Sequence, residues 1–324
     1  MQLKRHLRSL LLLLGPLLVL AGCFSPPPSP LKLGTNLWPG YEPLYLAREQ
    51  GYLSEDKVAL VELLSASEVM RAYRNGAIDA AALTLDEVIN LREAGLRPVI
   101  VQIADISNGA DVILVRPGVQ RMQELRGKRI GVEATALGAY MLSRALALHG
   151  MSAAEVEIVH LEVNAHREAW LRGDIDAVVT FEPVRQQLLA EGAQVLFDSS
   201  MIPGEVVDLF VVREGLLQSH RSQVHHLIDA WHQALAHLRQ SPQQAAEQMT
   251  ARLGGSAEDV LHSLGYLELP GRARTADLMQ GAPPELQQQA EALAQLMLEQ
   301  GLLQQIPDLS GLVYADYPSH ETDH

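Results

Sequence analysis

Polar side chains follow the predicted strands in both halves of this 324-residue chain, at points where they could hold a small molecule. Predicted strands alternate with predicted helices, which is typical of parallel sheets, and ligands bind at the carboxyl ends of such strands. Hydroxyl, carboxyl and aromatic groups occupy these ends. We predict that a ligand contacts residues from the set Trp38, Tyr41, Ser65, Ser67, Thr84, Asp86, Asp105, Ser107, Thr135, Thr180, Glu182 and Asp208.

The charge of these candidates indicates the class of ligand. The acidic members are Asp86, Asp105, Glu182 and Asp208, whereas Arg167 is the one cationic side chain near a predicted cleft loop. A sulfonate, nitrate or phosphonate needs cationic groups or dense N–H donors. Carboxylates beside an aromatic ring suit an amine or an N–H-donating heterocycle. We therefore expect a neutral or cationic nitrogen-containing solute.

Several candidates also have a purely structural interpretation. Trp38 is predicted to stack on a ligand, but it could instead pack under its own loop. Either Ser65 or Ser67 is expected to cap the helix that follows. Thr135 lies where a strand is followed by a helix, so the N–H groups of that first turn could bind a ligand. The alternative is that Thr135 only caps the helix. Glu182 precedes a proline and projects from a loop, and the alternatives to ligand contact are a salt bridge closing the lobes or a contact with a permease.

A duplicated pattern organises the chain. Residues 72–88 and 169–184 share a helix end, a glycine, an Ile-Asp-Ala unit entering a short strand, and then a threonine and an acid. Asp79 and Asp176 are 97 positions apart and precede the strands rather than follow them, so we predict a structural role for both. The copies diverge at 181–183, where we expect ligand identity to be decided.

Hydrophobic periodicity predicts an α/β fold of two lobes, each β-α-β-α-β, followed by a helical C-terminal extension. Two β-rich segments, 108–115 and 205–212, connect the lobes, and we predict that they pair as a hinge. Strands are predicted at 32–36, 58–64, 78–83, 98–104, 128–133, 156–161 and 175–179, and C-terminal helices near 242–252, 257–264 and 284–300.

The N-terminus carries a targeting signal. Basic residues precede an apolar run at 10–20, which is too short to span a membrane and is followed by Leu-Ala-Gly-Cys ending at Cys23. This resembles a bacterial lipobox, in which the chain is cleaved before the cysteine and the cysteine is lipidated; the alternative is an ordinary signal peptide with a chance cysteine. The proline-rich stretch 24–30 predicts an extended tether. We expect a membrane-anchored, extracytoplasmic (periplasmic) lipoprotein.

Composition excludes several classes of function. The net charge of −14 argues against nucleic acid, whose phosphates would be repelled, and 48% hydrophobic residues indicate a globular protein. His225, Asp229 and His232 recur on one predicted helix face and could bind a metal, but a solvated helix face is favoured. We identify no catalytic constellation, no cofactor and no metal site, and expect a monomer.

A resemblance to a known family rests on four motifs in order. They are Trp-Pro-Gly-Tyr-Glu-Pro at 38–43 with Gly-Tyr at 51–52, the Ile-Asp-Ala unit at 78–80, Leu-Arg-Gly-Lys-Arg-Ile-Gly-Val at 125–132, and Asp-Ala-Val-Val leading to Glu-Pro at 176–183. The chain resembles substrate-binding proteins of ABC importers, in the branch of sulfonate, taurine and nitrate binders and NMT1/THI5-like pyrimidine binders. The cysteine-rich motif of the fungal pyrimidine-synthesising relatives is absent.

This resemblance implies a type II periplasmic-binding fold that closes on a solute and presents it to a membrane permease. The expected organisation is a signal peptide at 1–22, a lipidated tether at 23–30, a first lobe at 31–112 and 208–324, and a second lobe at 113–207. One alternative is a subunit that reports the solute to a membrane signalling receptor. Another is a periplasmic enzyme on the same fold, such as a dehydratase.

Overall fold

The computed structural model describes residues 29–133 and 137–318. The predicted signal segment, Cys23, the tether up to residue 28, Thr135 and the last six residues lie outside the described residues. The strands are β1 Leu31–Thr35, β2 Val58–Glu62, β3 Ala80–Thr84, β4 Pro98–Ser107, β5 Val112–Val115, β6 Arg129–Val132, β7 Glu157–His160, β8 Ala177–Thr180, β9 Gln194–Asp198, β10 Val207–Arg213 and β11 Leu267–Glu268.

Helices alternate with these strands and then dominate the C-terminal part of the described chain. They are α1 Glu42–Glu49, α2 Ala66–Arg74, α3 Leu85–Glu93, α4 Leu137–Leu148, α5 Val163–Arg172, α6 Val184–Ala190, α7 Arg221–Gln240, α8 Pro242–Leu253, α9 Ala257–Leu264, α10 Arg272–Met279 and α11 Glu285–Glu299. Among the helices that the structure describes, none combines the length and the apolar character that crossing a membrane requires.

The strands form two sheets, which define two lobes. The first has the order β11-β4-β10-β3-β1-β2 and the second β7-β6-β8-β5-β9. In the first sheet β1 runs parallel to β2 and β3, and in the second β6 runs parallel to β7 and β8. The chain crosses from the first lobe to the second before β5 and returns to the first before β10. In the sheet that it enters, each of these strands is antiparallel to both neighbours: β5 lies between β8 and β9, and β10 lies between β3 and β4. The predicted two-lobed α/β fold is confirmed.

The duplicated aspartates hold equivalent positions in the two sheets. Asp79 Oδ2 accepts a hydrogen bond from the backbone N–H of Lys32 at 3.0 Å, and Asp176 Oδ2 accepts one from the backbone N–H of Arg129, also at 3.0 Å. Each carboxylate therefore ties the start of its strand to the neighbouring strand. The structural role predicted for both aspartates is what the structure shows.

The two lobes are joined by two neighbouring crossings. The prediction that the crossing strands pair with each other is wrong, because β5 pairs within the second sheet and β10 within the first. The contact between the crossings is made just outside them. The backbone N–H of Ser107 donates to the carbonyl of Val206 at 3.0 Å, and the Oγ atoms of Ser107 and Ser199 are 2.7 Å apart.

The C-terminal helices pack on the first lobe, and their apolar stripe forms part of its core. Trp231 of α7 is fully buried and contacts Phe210 of β10 edge-to-face, with the ring centroids 4.9 Å apart. The histidine face of α7 differs from the solvated face expected, because the C-terminal segment covers it. His232 Nε2 lies 2.8 Å from the Tyr317 hydroxyl, and Asp229 pairs with Arg272 at 2.7 Å.

Candidate ligand site between the lobes

A cavity lies between the two lobes, and its lining comes from both. It has two adjoining parts of about 330 and 310 Å³ that share Glu87, Asp111 and Phe181. Acidic, aromatic and apolar side chains dominate the lining, and no lysine or arginine contributes to it among the described residues. The lining residues are Asn36, Trp38, Tyr41, Ala66, Thr84, Glu87, Asp111, Glu133, Leu137, Gly138, Met141, His166, Val179, Thr180, Phe181 and Asp208.

Trp38 forms one wall of the cavity and is fixed by a buried carboxylate. Its Nε1–H donates to Asp105 Oδ2 at 3.0 Å, and its ring meets Phe181 of the second lobe edge-to-face at 5.4 Å. Gly40 makes this possible, because a Cβ atom there would lie 1.9 Å from Asp105 Oδ2 and 2.4 Å from Trp38 Nε1. Trp38 is thus buried, as its structural interpretation required, and still faces the cavity.

Tyr41 and Asp208 form the second fixed pair on the first lobe. The Tyr41 hydroxyl donates to Asp208 Oδ1, and both side chains line the cavity. Burial raises the pKa of Asp208 well above its ordinary value, and the negative charges of Asp105 and Asp111 raise it further. Burial likewise raises the pKa of Asp105, although the Trp38 N–H bond opposes this. A positive charge nearby would relieve the repulsion within this acidic group.

Asp111 stands at the crossing from the first lobe to the second and faces both parts of the cavity. Burial raises the pKa of its carboxyl to about 7, with Ser107 lowering it and the charge of Asp86 raising it. Its Oδ2 atom is buried and has no hydrogen-bond partner among the described residues. Such an oxygen is a ready acceptor for an N–H group of a ligand.

Two carboxylates bridge the lobes across the cavity. Glu133 Oε1 of the second lobe accepts the backbone N–H of Ser67 at 2.7 Å, while its Oε2 is buried without a partner among the described residues. Glu87 of the first lobe accepts the backbone N–H of Leu137 at 3.3 Å. Outside the cavity, Glu162 accepts the Ser65 hydroxyl at 3.2 Å. The lobes therefore face each other in a closed arrangement.

His166 and Thr180 hold the second-lobe wall together. His166 Nδ1 lies 3.2 Å from Thr180 Oγ1, and its Nε2 lies 3.3 Å from the carbonyl oxygen of Leu161. Burial lowers the pKa of His166 to about 4, so the ring is neutral at physiological pH. With both nitrogens engaged inside one lobe, this histidine positions Thr180.

The structure places most of the sequence-predicted residues in two groups, those that line the cavity and those that adjoin it. Trp38, Tyr41, Thr84, Thr180 and Asp208 line the cavity. Those adjoining it through direct contacts are Ser65, which caps α2, Ser67, Asp86, Asp105 and Ser107. Burial raises the pKa of Asp86, which lies beside Glu87.

Glu182 is in a different position from the one expected. It is buried and pairs with Arg185 at 2.9 Å, and its other oxygen accepts the backbone N–H of Gln186. It lines a separate depression of about 220 Å³ beside the contact between Gln186 Nε2 and Asp259 Oδ1, which are 2.6 Å apart. Arg167 is also outside the cavity and pairs with Glu191. Both oxygens of the Glu182 carboxylate therefore make their hydrogen bonds within its own lobe.

Sequence reasoning missed Glu87 and Asp111 among the lining residues. The pattern Thr84-x-x-Glu87 is typical of a capping box at the start of a helix. Glu87 has this role in the structure, because its Oε2 accepts the Thr84 N–H at 2.9 Å. The available signal was its place at the carboxyl end of a buried strand. Asp111 was assigned to a connecting segment, although a lone acid before the apolar run of β5 was a sign of a special role.

Comparisons with known proteins decide the family. The sequence profile described as the NMT1-like family matches residues 25–254, which is more than half of the chain. This chain belongs to the NMT1-like family. This chain is 26% identical to the taurine-binding periplasmic protein of Escherichia coli K12 over 185 residues. The matched region is 55% of this chain and 58% of that relative.

A second relative of this NMT1-like protein is an enzyme. The 4-amino-5-hydroxymethyl-2-methylpyrimidine phosphate synthase of Aspergillus parasiticus is 30% identical over 158 residues, 47% of this chain and 45% of that protein. The chain thus matches about half the length of these two curated relatives. Among solved structures, the alkanesulfonate-binding protein SsuA of Xanthomonas axonopodis pv. citri bound to MOPS has a TM-score of 0.78 at 20% identity, covering 90% of this chain and 100% of that one. The fold is that of periplasmic binding proteins.

Proposed function

We propose that this NMT1-like protein is an extracytoplasmic solute-binding component of an ABC importer. It closes its two lobes on a small nitrogen-containing solute that is neutral or cationic, and presents the closed form to a membrane permease. The observation that carries the proposal is the acidic cavity between the lobes, where buried oxygens of Asp111 and Glu133 have no partner in the described part of the chain. The names of the taurine-binding and alkanesulfonate-binding relatives support the transport role.

The solute class follows from the charge of the lining. Carboxyl groups on Glu87, Asp111, Glu133 and Asp208 face the cavity, and burial raises the pKa values of all four above their ordinary range. A ligand that donates N–H groups satisfies these oxygens, and a positive charge on it stabilises their ionised forms. The aromatic rings of Trp38 and the neighbouring side chains provide a face for a planar or cationic group.

Binding without turnover is part of the proposal. His166, which lines the cavity, is held neutral and hydrogen-bonded on both nitrogens. Glu87 and Glu133 are engaged in lobe closure and Asp208 pairs with Tyr41. If the protein were an enzyme instead, as its synthase relative is, a bound solute would disappear on incubation. Recovery of the solute unchanged after prolonged incubation supports binding alone.

Anchoring by lipid at Cys23 completes the proposal and rests on the sequence alone. The expected mature chain begins at that cysteine and reaches the folded part through the proline-rich tether. Mass measurement of the N-terminal peptide from a membrane fraction checks this, with Cys23→Ser as the control. A native peptide that starts elsewhere and lacks a lipid mass would contradict it.

A thermal-shift screen tests the solute class. Amines, guanidines and pyrimidines are compared with alkanesulfonates of the same carbon number. A true ligand at a hundredfold excess over its Kd stabilises the folded state by about 2.7 kcal/mol. We expect shifts with members of the first group, which Asp208→Asn abolishes. Asp174→Asn is the control and retains the shifts, because Asp174 is exposed and is not among the residues that line the cavity. Shifts with sulfonates alone would contradict the proposed solute class.

A further inference from the structure

Glu87 makes two backbone contacts that belong to different lobes. It lies in the first turn of α3 and is 2% exposed. Its Oε2 accepts the N–H of Thr84 in its own lobe at 2.9 Å, and its Oε1 accepts the N–H of Leu137 in the other lobe at 3.3 Å. Leu137 is the first described residue of α4, so this carboxylate accepts a hydrogen bond from the first described turn of a helix that it is not part of.

The N-terminus of α4 is a favourable position for an anion. The first N–H groups of a helix have no partner within the helix, and the helix dipole places partial positive charge there. Sulfonate and phosphate groups bind at such termini. Leu137 and Gly138 line the cavity, so an anionic ligand in the cavity would meet these donors first. In this chain the side chain of Glu87 already occupies that position.

Two further carboxylates surround the same part of the cavity. Asp111 Oδ2 and Glu133 Oε2, which have no partner among residues 29–133 and 137–318, belong to side chains that are 3% and 4% exposed. An anion that displaced Glu87 would therefore face two more acids, with no arginine or lysine in the described lining to offset them. Repulsion between like charges is strong where water is excluded.

We propose that Glu87 is a specificity-determining residue that occupies the N–H groups at the start of α4 and so excludes sulfonates and other anionic solutes. This rests on the proposed function and explains how a chain with the fold of an alkanesulfonate-binding protein can select a different solute. Burial and the negative charges of Asp86 and Glu133 raise the pKa of Glu87 to about 8, although the N–H groups of Thr84 and Leu137 lower it. The two N–H contacts hold the carboxyl group in place as part of the site.

Substitution of Glu87 tests the proposal, with butanesulfonate and butylamine as matched probes measured by titration calorimetry. Glu87→Ser removes the carboxylate and opens the helix N-terminus; Glu87→Gln keeps the shape and the bond to Thr84 and therefore protects the fold. Glu162→Gln is the control, because Glu162 lies outside the cavity and its substitution removes one charge between the lobes without freeing α4. We expect butanesulfonate affinity to rise about tenfold or more in Glu87→Ser, less in Glu87→Gln, and to stay at the wild-type level in Glu162→Gln.

The outcomes separate this inference from the proposed function. If folded Glu87→Ser and Glu87→Gln bind butanesulfonate no better than wild type, or if Glu162→Gln gains as much, the inference about Glu87 is wrong. The proposed solute class would then still stand on butylamine and related amines binding the wild type. If no amine binds the wild type but Glu87→Ser gains sulfonate binding, the solute class fails and the inference about Glu87 holds. Circular dichroism and melting curves show which variants fold.

Discussion

The backbone N–H of Ser67 in the first lobe donates a 2.7 Å hydrogen bond to the Glu133 carboxylate in the second lobe. The same carboxylate faces the cavity with its other oxygen, which is buried without a partner among the described residues. One side chain therefore takes part in both lobe closure and the lining of the site. Hinge closure around a ligand requires such a link, since the ligand stabilises only the state in which both lobes contact it.

Removing the Glu133 charge should weaken solute binding. Glu133→Gln turns a charge-assisted bond to Ser67 into a neutral one and removes a ligand-facing oxygen charge. We expect about a tenfold loss of affinity for an amine ligand, measured by calorimetry. Glu162→Gln is the matched control, because Glu162 also bridges the lobes but is partly exposed, so its loss should cost little. Equal effects of the two substitutions would show that Glu133 has no special role at the cavity.

Gly40→Ala should damage the site while leaving the fold largely intact. A methyl group at this position collides with Asp105 Oδ2 and Trp38 Nε1, so the bond between those side chains must break or shift. We expect ligand affinity to fall by tenfold or more, since the indole wall and a buried carboxylate both move. Gly95→Ala is a control glycine with open space around its Cβ position but strained backbone, so it should reduce stability without altering affinity. Unchanged affinity in Gly40→Ala would remove Trp38 from the site.

Binding of a permanently charged cation should strengthen as the pH rises from about 5 to 7. Burial raises the Asp111 pKa to about 7, so this carboxyl is protonated at low pH and a cation must expel the proton. Above that pKa the contribution of Asp111 levels off, and any further rise in affinity comes from Asp208 and from Glu87, whose pKa burial raises to about 8. Guanidinium is a suitable probe because its own charge does not titrate in this range, and the limit for one proton is about tenfold per pH unit.

Asp111→Asn should flatten this dependence, with Asp105 and Asp208 leaving a residual slope. The unliganded protein should show the opposite trend in stability. A raised carboxyl pKa means that the folded state binds the proton more tightly than the unfolded state, so the free energy of unfolding falls as the pH rises from about 4 to 7. Cation affinity that fell with rising pH would contradict the ionisation described for this group.

The paired aspartates should contribute to stability and leave ligand selectivity unchanged. Asp79→Ala and Asp176→Ala each remove a carboxylate that accepts the N–H of a neighbouring strand. We expect a loss of about 1–2 kcal/mol in the free energy of unfolding for each, with the larger loss in Asp176→Ala, since Asp176 also pairs with Arg129. Denaturant unfolding measures this. A change in which solutes bind would contradict the purely structural role.

The fold was predictable because it follows from repetition and periodicity. Alternating apolar runs and helix signals placed most elements to within a few residues, and the duplicated Asp79 and Asp176 units marked equivalent points in two sheets. The short elements β9, α6 and α10 were missed, because their apolar patterns are brief. The pairing of the crossing strands was also missed, since strand order depends on which sheet edge is available rather than on the strand's own residues.

The lining of the cavity was predictable where strand ends carried polar side chains with no other evident role. Trp38, Tyr41 and Asp208 line the cavity, and their contact with a ligand stays a prediction. Glu182 illustrates the limit: its sequence position is similar, but a nearby Arg185 pairs with it inside the lobe. Glu87 shows the converse, because its local role as a helix cap hid the contact with Leu137, which exists only when the two lobes meet.

The most direct test is native mass spectrometry of the protein purified from its producing cells, followed by release and identification of any bound small molecule. The acidic cavity predicts a released compound that contains nitrogen, is neutral or cationic at physiological pH, and is lost from the Asp208→Asn variant. A sulfonate or other anion released from the wild-type protein at one molecule per chain would contradict it.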